Sequence, residues 1–285
     1  MAYQNFCNGC KKKSLIKINL YNLQICKNCL LVSRKIDQRF IKTVKKTFSQ
    51  NNRYSFAPTN YKARSNKNFY FFKQLYKITN ITKKDEILDF GSGYGTLLEI
   101  LNKKKYKVIG IEPSKKNYKI SKKLNHKVLN KYLDSNTFKP NRFKIIVSLY
   151  VFTYVYNISE ILNIFNKILK NNGYVLIRIH RYKFSNSYRQ YNHFGKINYA
   201  VSNHFSNHSL KNLFMIHNFS VILLKSNIDG TTIIAKKLNK KIKYKKSGIV
   251  GFEIFYLKYL TFYIANIMHF FEFIKIKIRN ILKNG

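Results

Sequence analysis

The chain has no tryptophan, eleven acidic residues among 285, and four cysteines that all fall within the first 29 positions. Each shortage excludes something. Against 54 lysines and arginines, eleven acids leave a formal net charge of +43, so an acid at the end of an apolar strand calls for a reason. The missing tryptophan goes with abundant Lys, Asn, Ile, Tyr and Phe, the joint bias of an AT-rich coding sequence, and this weakens the charge as a sign of nucleic-acid binding. The lysines are scattered, with no compact arginine patch. They read as a solvated surface, the alternative being attraction to the phosphates of nucleotide sugars, RNA or anionic lipid. The N-terminus lacks a basic stretch followed by an apolar run, so no secretory signal is read there; a cytoplasmic location with reduced thiols is expected. No uncharged apolar run reaches the roughly 18 residues of a spanning helix.

At this length one full α/β domain fits, with smaller additions. Hydrophobic residues make up 45% of the chain, enough for a core, which excludes global disorder. The cysteines form two knuckles, Cys7-x-x-Cys10 and Cys26-x-x-Cys29, fifteen residues apart. That pattern suits a tetrahedral Zn2+ held by four thiolates in preference to disulfides or free thiols, and it leaves no ligand position open, so the ion is expected to be structural. Between the knuckles, Leu15-Ile16-Lys17-Ile18 and Leu23-Gln24-Ile25 alternate like a small hairpin. Residues 34–80 are a basic, aromatic connector in which Tyr54, Tyr61, Phe69, Tyr70, Phe71 and Phe72 are expected to pack its helices onto the rest. A ligand contact for Tyr54 or Tyr61 is a second reading.

The most informative stretch is Ile87-Leu88-Asp89-Phe90-Gly91-Ser92-Gly93-Tyr94-Gly95. Three apolar residues end a buried strand, three glycines follow, and residues 96–101 open a helix. Strand, glycine turn and helix let backbone approach a nucleotide-like ligand closely. The spacing is G-x-G-x-G and not the G-x-G-x-x-G of dinucleotide sites, which steers the reading from NAD towards S-adenosylmethionine. A second strand, residues 106–112, ends in Glu112, 21 positions after Gly91, where a carboxylate accepts ribose hydroxyls. A helix over residues 114–124, a short strand at Val128 and Leu129, a buried strand at 143–149, an apolar-striped helix at 158–169 closed by Asn171-Asn172-Gly173, and a strand at 174–179 follow. This alternation argues for a mostly parallel sheet covered on both faces.

Residues 87–95, Gly110-Ile111-Glu112, residues 143–149 and residues 169–177 together resemble the ordered motifs of class I S-adenosylmethionine-dependent methyltransferases, over roughly residues 81–225. The resemblance implies a Rossmann-like seven-stranded sheet whose last strand is antiparallel. It implies that Gly91, Ser92, Gly93 and Gly95, with Asp89, meet the methionine moiety, that Glu112 beside Pro113 takes the ribose, that Tyr132 and Leu133 flank the adenine, and that Ser148 and Tyr150 lie beneath the sulfonium. Two positions depart from the pattern. Lys144 stands where many relatives carry an acid, and Thr153-Tyr154 where many carry Glu-His.

A four-cysteine module ahead of this fold resembles the sugar C-methyltransferase group and its relatives in surface-polysaccharide pathways. Their His-Glu-His-Phe-Ser segment corresponds to Ser202-Asn203-His204-Phe205-Ser206, with Asn203 in place of the acid. That substitution weighs against carbon methylation, which needs a base chain, and less against a sugar hydroxyl or amino group. A sugar, nucleotide sugar or related small metabolite is the expected acceptor. Transfer is a direct displacement at the sulfonium methyl. His204 is the first candidate base, then His180 and Tyr154, with His193 and His208 behind them. Arg178 and Arg181, at the carboxyl edge, are read as contacts for a sugar-nucleotide diphosphate, the alternative being surface charge. The alternative is an RNA methyltransferase, since zinc modules also occur in ribosomal-RNA guanine methyltransferases. No Asn-Pro-Pro-Tyr or Asp-Pro-Pro-Tyr motif is present for it. A non-catalytic scaffold is the third reading.

The sequence thus divides into a zinc-binding ribbon (1–35), a helical connector (36–80), the S-adenosylmethionine-binding domain (81–237) and apolar, basic C-terminal helices (238–285). Residues 249–274 are aromatic and apolar, interrupted by Glu253, Lys258, His269 and Glu272, and followed by Lys275, Lys277, Arg279 and Lys283. They are expected to lie on the core, on a partner, or peripherally on an anionic inner-membrane face.

Overall fold

The computed structural model describes residues 6–18, 23–35, 37–38, 40–42, 58–180, 201–227, 230–240 and 243–246. Tyr54, Arg181, His193 and the C-terminal segment 249–285 lie outside the described residues. Among the described residues no helix is long and apolar enough to cross a membrane.

Three short strands come first: β1 (Leu15–Ile18), β2 (Leu23–Cys26) and β3 (Val32–Arg34). Helix α1 (Pro58–Lys73) leads into β4 (Glu86–Phe90), α2 (Thr96–Lys103), β5 (Lys107–Ile111), α3 (Lys115–Lys123) and β6 (Val128–Leu129). Then come β7 (Phe143–Leu149), α4 (Ile158–Ile168), β8 (Leu169–Ile179), β9 (Asn203–His204), α5 (Asn207–Ile216), β10 (Phe219–Asn227) and β11 (Gly230–Lys237).

Seven strands form one sheet in the order β10-β11-β8-β7-β4-β5-β6. The pairs β4–β5, β4–β7, β5–β6 and β7–β8 are parallel, while β11 runs antiparallel to both β8 and β10. The expected Rossmann-like sheet with its reversed last strand is therefore present. The apolar runs of β4 and β7 are buried because helices cover both faces. On one face Phe69, Phe72, Leu97, Leu98 and Leu101 from α1 and α2 pack on Ile87, Ile145, Val147 and Leu176. On the other, Ile158, Leu162, Phe165, Leu210, Leu213 and Phe214 from α4 and α5 pack on Leu88, Ile146 and Ile177. The four cysteines and Leu31 belong to this second cluster, so the cysteine segment shares a core with the large sheet.

The caps follow from side-chain chemistry. Ser114 caps α3 by accepting from Asn117 N, Asn157 caps α4 by accepting from Glu160 N, and Ser206 with Ser209 makes a reciprocal capping box on α5. The C-terminus of α4 corrects the expectation for Asn171-Asn172-Gly173. The helix ends at Ile168, Leu169 is already extended, and the left-handed residue is Asn172 at φ 57°. Leu169 pairs with Phe143 across the sheet, and this tertiary pairing draws the chain out of the helix before the cap signal is reached. Tyr70 is a second correction: it is 66% exposed, whereas Phe69, Phe71 and Phe72 are buried as expected. A helix packed on one side turns its other face to water, and Tyr70 falls on that face with Asn66, Lys67 and Lys73.

The predicted hairpin is β1–β2, with Leu15 opposite Cys26 and Ile18 opposite Leu23. It extends into a four-stranded antiparallel sheet, β1-β2-β3-β9. Its fourth strand, β9, comes from far along the chain, with Val32 opposite His204 and Ser33 opposite Asn203.

Candidate active site

The three glycines that end β4 all adopt left-handed backbone: φ is 76° at Gly91, 56° at Gly93 and 83° at Gly95. A Cβ at Gly91 would lie 2.4 Å from Val151 Cγ2, and one at Gly95 would lie 2.3 Å from the His126 ring. At Gly93 nothing comes within 4 Å, because that residue faces open space. A cavity of about 760 Å3 opens over the loop, at the carboxyl ends of the parallel strands, and Asp89, Gly91, Ser92, Gly93, Glu112 and Pro113 line it. This is where open α/β sheets place their ligands. Tyr132, Leu133 and Tyr150 also line it.

Glu112 is buried and tied to the loop. Its Oε2 accepts from Gly93 N at 2.9 Å, and its Oε1 accepts from Ser114 N at 2.9 Å and Asn117 Nδ2 at 3.4 Å. Burial pushes its carboxyl above the ordinary range, while these donors oppose the shift. A carboxylate offers about four acceptor sites, so Oε2 keeps one for a ligand hydroxyl. Asp89 is 3% exposed, and its carboxyl makes no hydrogen bond among the described residues. Burial, then the charge of Glu112, pushes it up to about 8. The glycine end of the cavity thus carries two close carboxyls suited to hydroxyls and to a cation.

The neighbouring end of β7 has different chemistry. Tyr150, at the end of β7, is held in left-handed backbone at φ 65°, and its N–H donates to Arg178 O at 2.6 Å. Its ring lies 4.5 Å from that of His180. Burial, then Arg178 and Lys67, pushes His180 below the ordinary histidine range, so the ring is neutral near pH 7. Tyr154, Arg64 and Lys67 also line the cavity, the last two from α1. Neither Arg64 nor Lys67 makes an ion pair among the described residues.

Several expected site residues lie elsewhere. His204 does not line the cavity. It sits in β9, is 8% exposed, and is pushed down to about 3 by burial and then by Arg34. Ser148 is fully buried behind the wall rather than on it. Gly95 lies beneath the cavity as the N-cap of α2, and its carbonyl accepts from Tyr61 Oη at 3.1 Å. Arg178, read as an edge or surface charge, is 2% exposed. Its Nη1 donates to Thr232 Oγ1 at 2.9 Å and its Nη2 to Asn227 Oδ1 at 2.8 Å, and the guanidinium lies 4.6 Å from the Phe71 ring centre. His208 is exposed at the start of α5. The sequence reading missed Arg64, Lys67, Tyr156, Asn157 and Glu160, all of which line the cavity. Arg64, Lys67 and Glu160 come from helices, and Tyr156 and Asn157 from the turn that leads into α4; none gives a local sign that it meets a ligand.

The ligand-bearing atoms of Cys7, Cys10, Cys26 and Cys29 all lie within 4.8 Å of one another. Cys7 Sγ is 3.5 Å from Cys29 Sγ, and Cys10 Sγ is 3.5 Å from Cys26 Sγ. Four sulfurs on a tetrahedron with metal–sulfur bonds of about 2.3 Å stand about 3.8 Å apart, so the cluster fits such an ion. Gly9 N donates to Cys7 Sγ at 3.3 Å and Cys29 N to Cys26 Sγ at 3.5 Å, the N–H···S contacts expected of thiolate knuckles.

A family described as "Methyltransferase domain" matches residues 52–224. No curated protein matches the chain. Among solved structures, the plantazolicin methyltransferase BpumL in complex with SAH aligns at TM-score 0.51 and 14% identity, over 70% of this chain and 96% of that one. The complex between the Haloferax volcanii Trm112 methyltransferase activator and its proposed methyltransferase gives TM-score 0.51 and 14% identity, over 65% and 95%. A proposed sarcosine dimethylglycine methyltransferase from Galdieria sulphuraria gives TM-score 0.51 and 11% identity, over 61% and 85%. At these identities the likeness is one of fold.

Proposed function

The chain belongs to the methyltransferase-domain family, and on that premise we propose that it methylates a sugar, a nucleotide sugar or a related small metabolite of a glycan pathway. S-adenosylmethionine, when bound, supplies a methyl carbon made electrophilic by its sulfonium. The observation that carries the cofactor reading is the Gly93–Glu112 bond of 2.9 Å. It joins the glycine loop and the strand-end acid into one cradle. In this reading Glu112 takes a ribose hydroxyl, Asp89 faces the methionine ammonium, and Tyr132 and Leu133 flank the adenine.

His180 is the first choice of base. It is neutral, lines the cavity, and is held against Tyr150. It accepts the proton that a hydroxyl or ammonium acceptor must lose. Tyr154, on the same wall, orients the acceptor. Arg64 and Lys67 offer charge to an anionic acceptor such as a sugar-nucleotide phosphate, which supports the nucleotide-sugar reading. The four cysteines hold a structural Zn2+. The net charge of +43 favours RNA as the second reading. The test is a labelled S-adenosylmethionine assay with nucleotide sugars and RNA in parallel. Label in the nucleotide-sugar fraction supports the proposal, and salt-sensitive label in RNA alone replaces it with the second reading.

A further inference from the structure

Behind the wall formed by Tyr154, Val155, Tyr156 and Asn157 lies a polar layer that the proposed chemistry does not use. Four consecutive carbonyls, those of Thr153 and of the wall residues Tyr154, Val155 and Tyr156, accept hydrogen bonds from it. Ser202 N donates to Thr153 O at 2.9 Å, and Ser202 Oγ donates to Tyr154 O at 3.3 Å. Asn203 Nδ2 donates to Val155 O, and Asn8 Nδ2 donates to Tyr156 O at 3.2 Å. Asn8 also takes from the wall, since Ser159 N donates to Asn8 O at 2.9 Å. Lys11 Nζ adds a bond of 2.9 Å to Asn157 Oδ1.

The two asparagines are joined to each other, Asn8 Nδ2 donating to Asn203 Oδ1 at 2.9 Å. Asn8 sits inside the first knuckle, between Cys7 and Cys10. Asn203 sits in β9, which pairs with β3 of the cysteine-bearing sheet. It is fully buried. Its amide donates to one partner and accepts from the other. A carboxylate can only accept, so an acid here would leave Val155 O facing an oxygen. This accounts for Asn203 where the sugar C-methyltransferase pattern has Glu.

We infer that Asn8 and Asn203 are positioning residues that lock the cavity wall to the cysteine site, so that metal bound by the four thiolates orders the wall. The inference rests on the metal and cofactor readings above. A metal fixes the short turn between Cys7 and Cys10, and with it the direction of the Asn8 amide. Without the metal that turn gains conformational freedom, and the wall loses the partners of Tyr156 O and Ser159 N. Coupling of this kind is reciprocal: a ligand that orders the wall must also slow metal loss.

Hydrogen exchange on the full chain tests the lock, comparing metal-loaded protein, chelator-treated protein and two metal-loaded variants, Asn203→Asp and Asn8→Ala. The second variant keeps the backbone carbonyl of residue 8 and so guards against a folding failure of the first. Metal removal is expected to speed exchange over residues 153–161 tenfold or more, with residues 87–95 within twofold. Either variant is expected to do the same with its metal content intact. In a second arm, saturating S-adenosylhomocysteine is expected to slow zinc transfer to a colorimetric chelator at least threefold in the native chain, and not in the variants. Exchange over 153–161 that ignores both metal and variant overturns the lock. So does zinc release that ignores S-adenosylhomocysteine once calorimetry has shown that it binds. If it does not bind, the cofactor reading fails instead, and the exchange arm alone decides.

Discussion

Raising the pH from 6 to 8 is expected to tighten S-adenosylhomocysteine binding about ten- to fiftyfold. The reason is Asp89. In the free protein, burial and then Glu112 push its carboxyl up to about 8, so it holds a proton through most of that range. The ligand's ammonium favours the ionised form and returns the group towards its ordinary value of about 4. Binding therefore expels a proton, and affinity rises with pH by up to tenfold per unit below the free-protein value. From pH 6 to 8 this gives about fiftyfold, or about tenfold if the free-protein value is a unit lower. Calorimetry at pH 6, 7 and 8, in two buffers of different ionisation enthalpy, measures both the affinity and the protons released. Asp89→Asn cannot ionise, so its profile should be flat over this range. At pH 8 it should bind about tenfold or more weakly, for the loss of a charged hydrogen bond of about 1.5–3 kcal/mol. Unliganded stability runs the other way. The folded chain holds more protons than the unfolded one between about pH 4 and 8, so Asp89's contribution is lost as pH rises through that window. Affinity that stays flat or falls from pH 6 to 8, or equal slopes for the native protein and Asp89→Asn, would refute the placement of an ammonium beside Asp89.

Gly91→Ala should lower the melting temperature by several degrees. The left-handed backbone costs a non-glycine residue about 1–2 kcal/mol, and its Cβ would stand 2.4 Å from Val151 Cγ2; a differential scan with no shift would contradict this. His180→Ala should cut turnover by about a hundredfold or more while S-adenosylhomocysteine affinity stays within threefold. Equal losses in both would mean that His180 shapes the cofactor end instead. His204→Ala should lower stability and leave the pH profile of turnover unshifted, because the ring lies outside the cavity. A shifted profile would restore His204 as the base.

The parts of the structure that were legible in the sequence are those whose cause is local. Gly91, Gly93 and Gly95 stand out because left-handed backbone penalises any other residue, and Glu112 because an acid ending an apolar strand in so basic a chain needs a partner. The cysteine knuckles carry their own geometry in their spacing. What escaped depends on pairing across long stretches of chain. Residues 203 and 204 make a two-residue strand that exists only because β3 waits beside it, so His204 looked like a free base when it is a buried neighbour of Arg34. Arg178 interrupts an apolar strand, and its partners Thr232, Asn227 and Phe71 lie on other elements. Asn8 looked like a spacer between two cysteines. The Asn171-Asn172-Gly173 stop signal lost to the pairing of Leu169 with Phe143.

Incubating the purified chain with methyl-labelled S-adenosylmethionine, and following label into nucleotide sugars and RNA side by side, decides which acceptor takes the methyl group. Label is expected in a nucleotide-sugar or glycan-precursor fraction, and is expected to be lost in Glu112→Gln and His180→Ala. Label confined to RNA, or none in any acceptor although the cofactor binds, would contradict it.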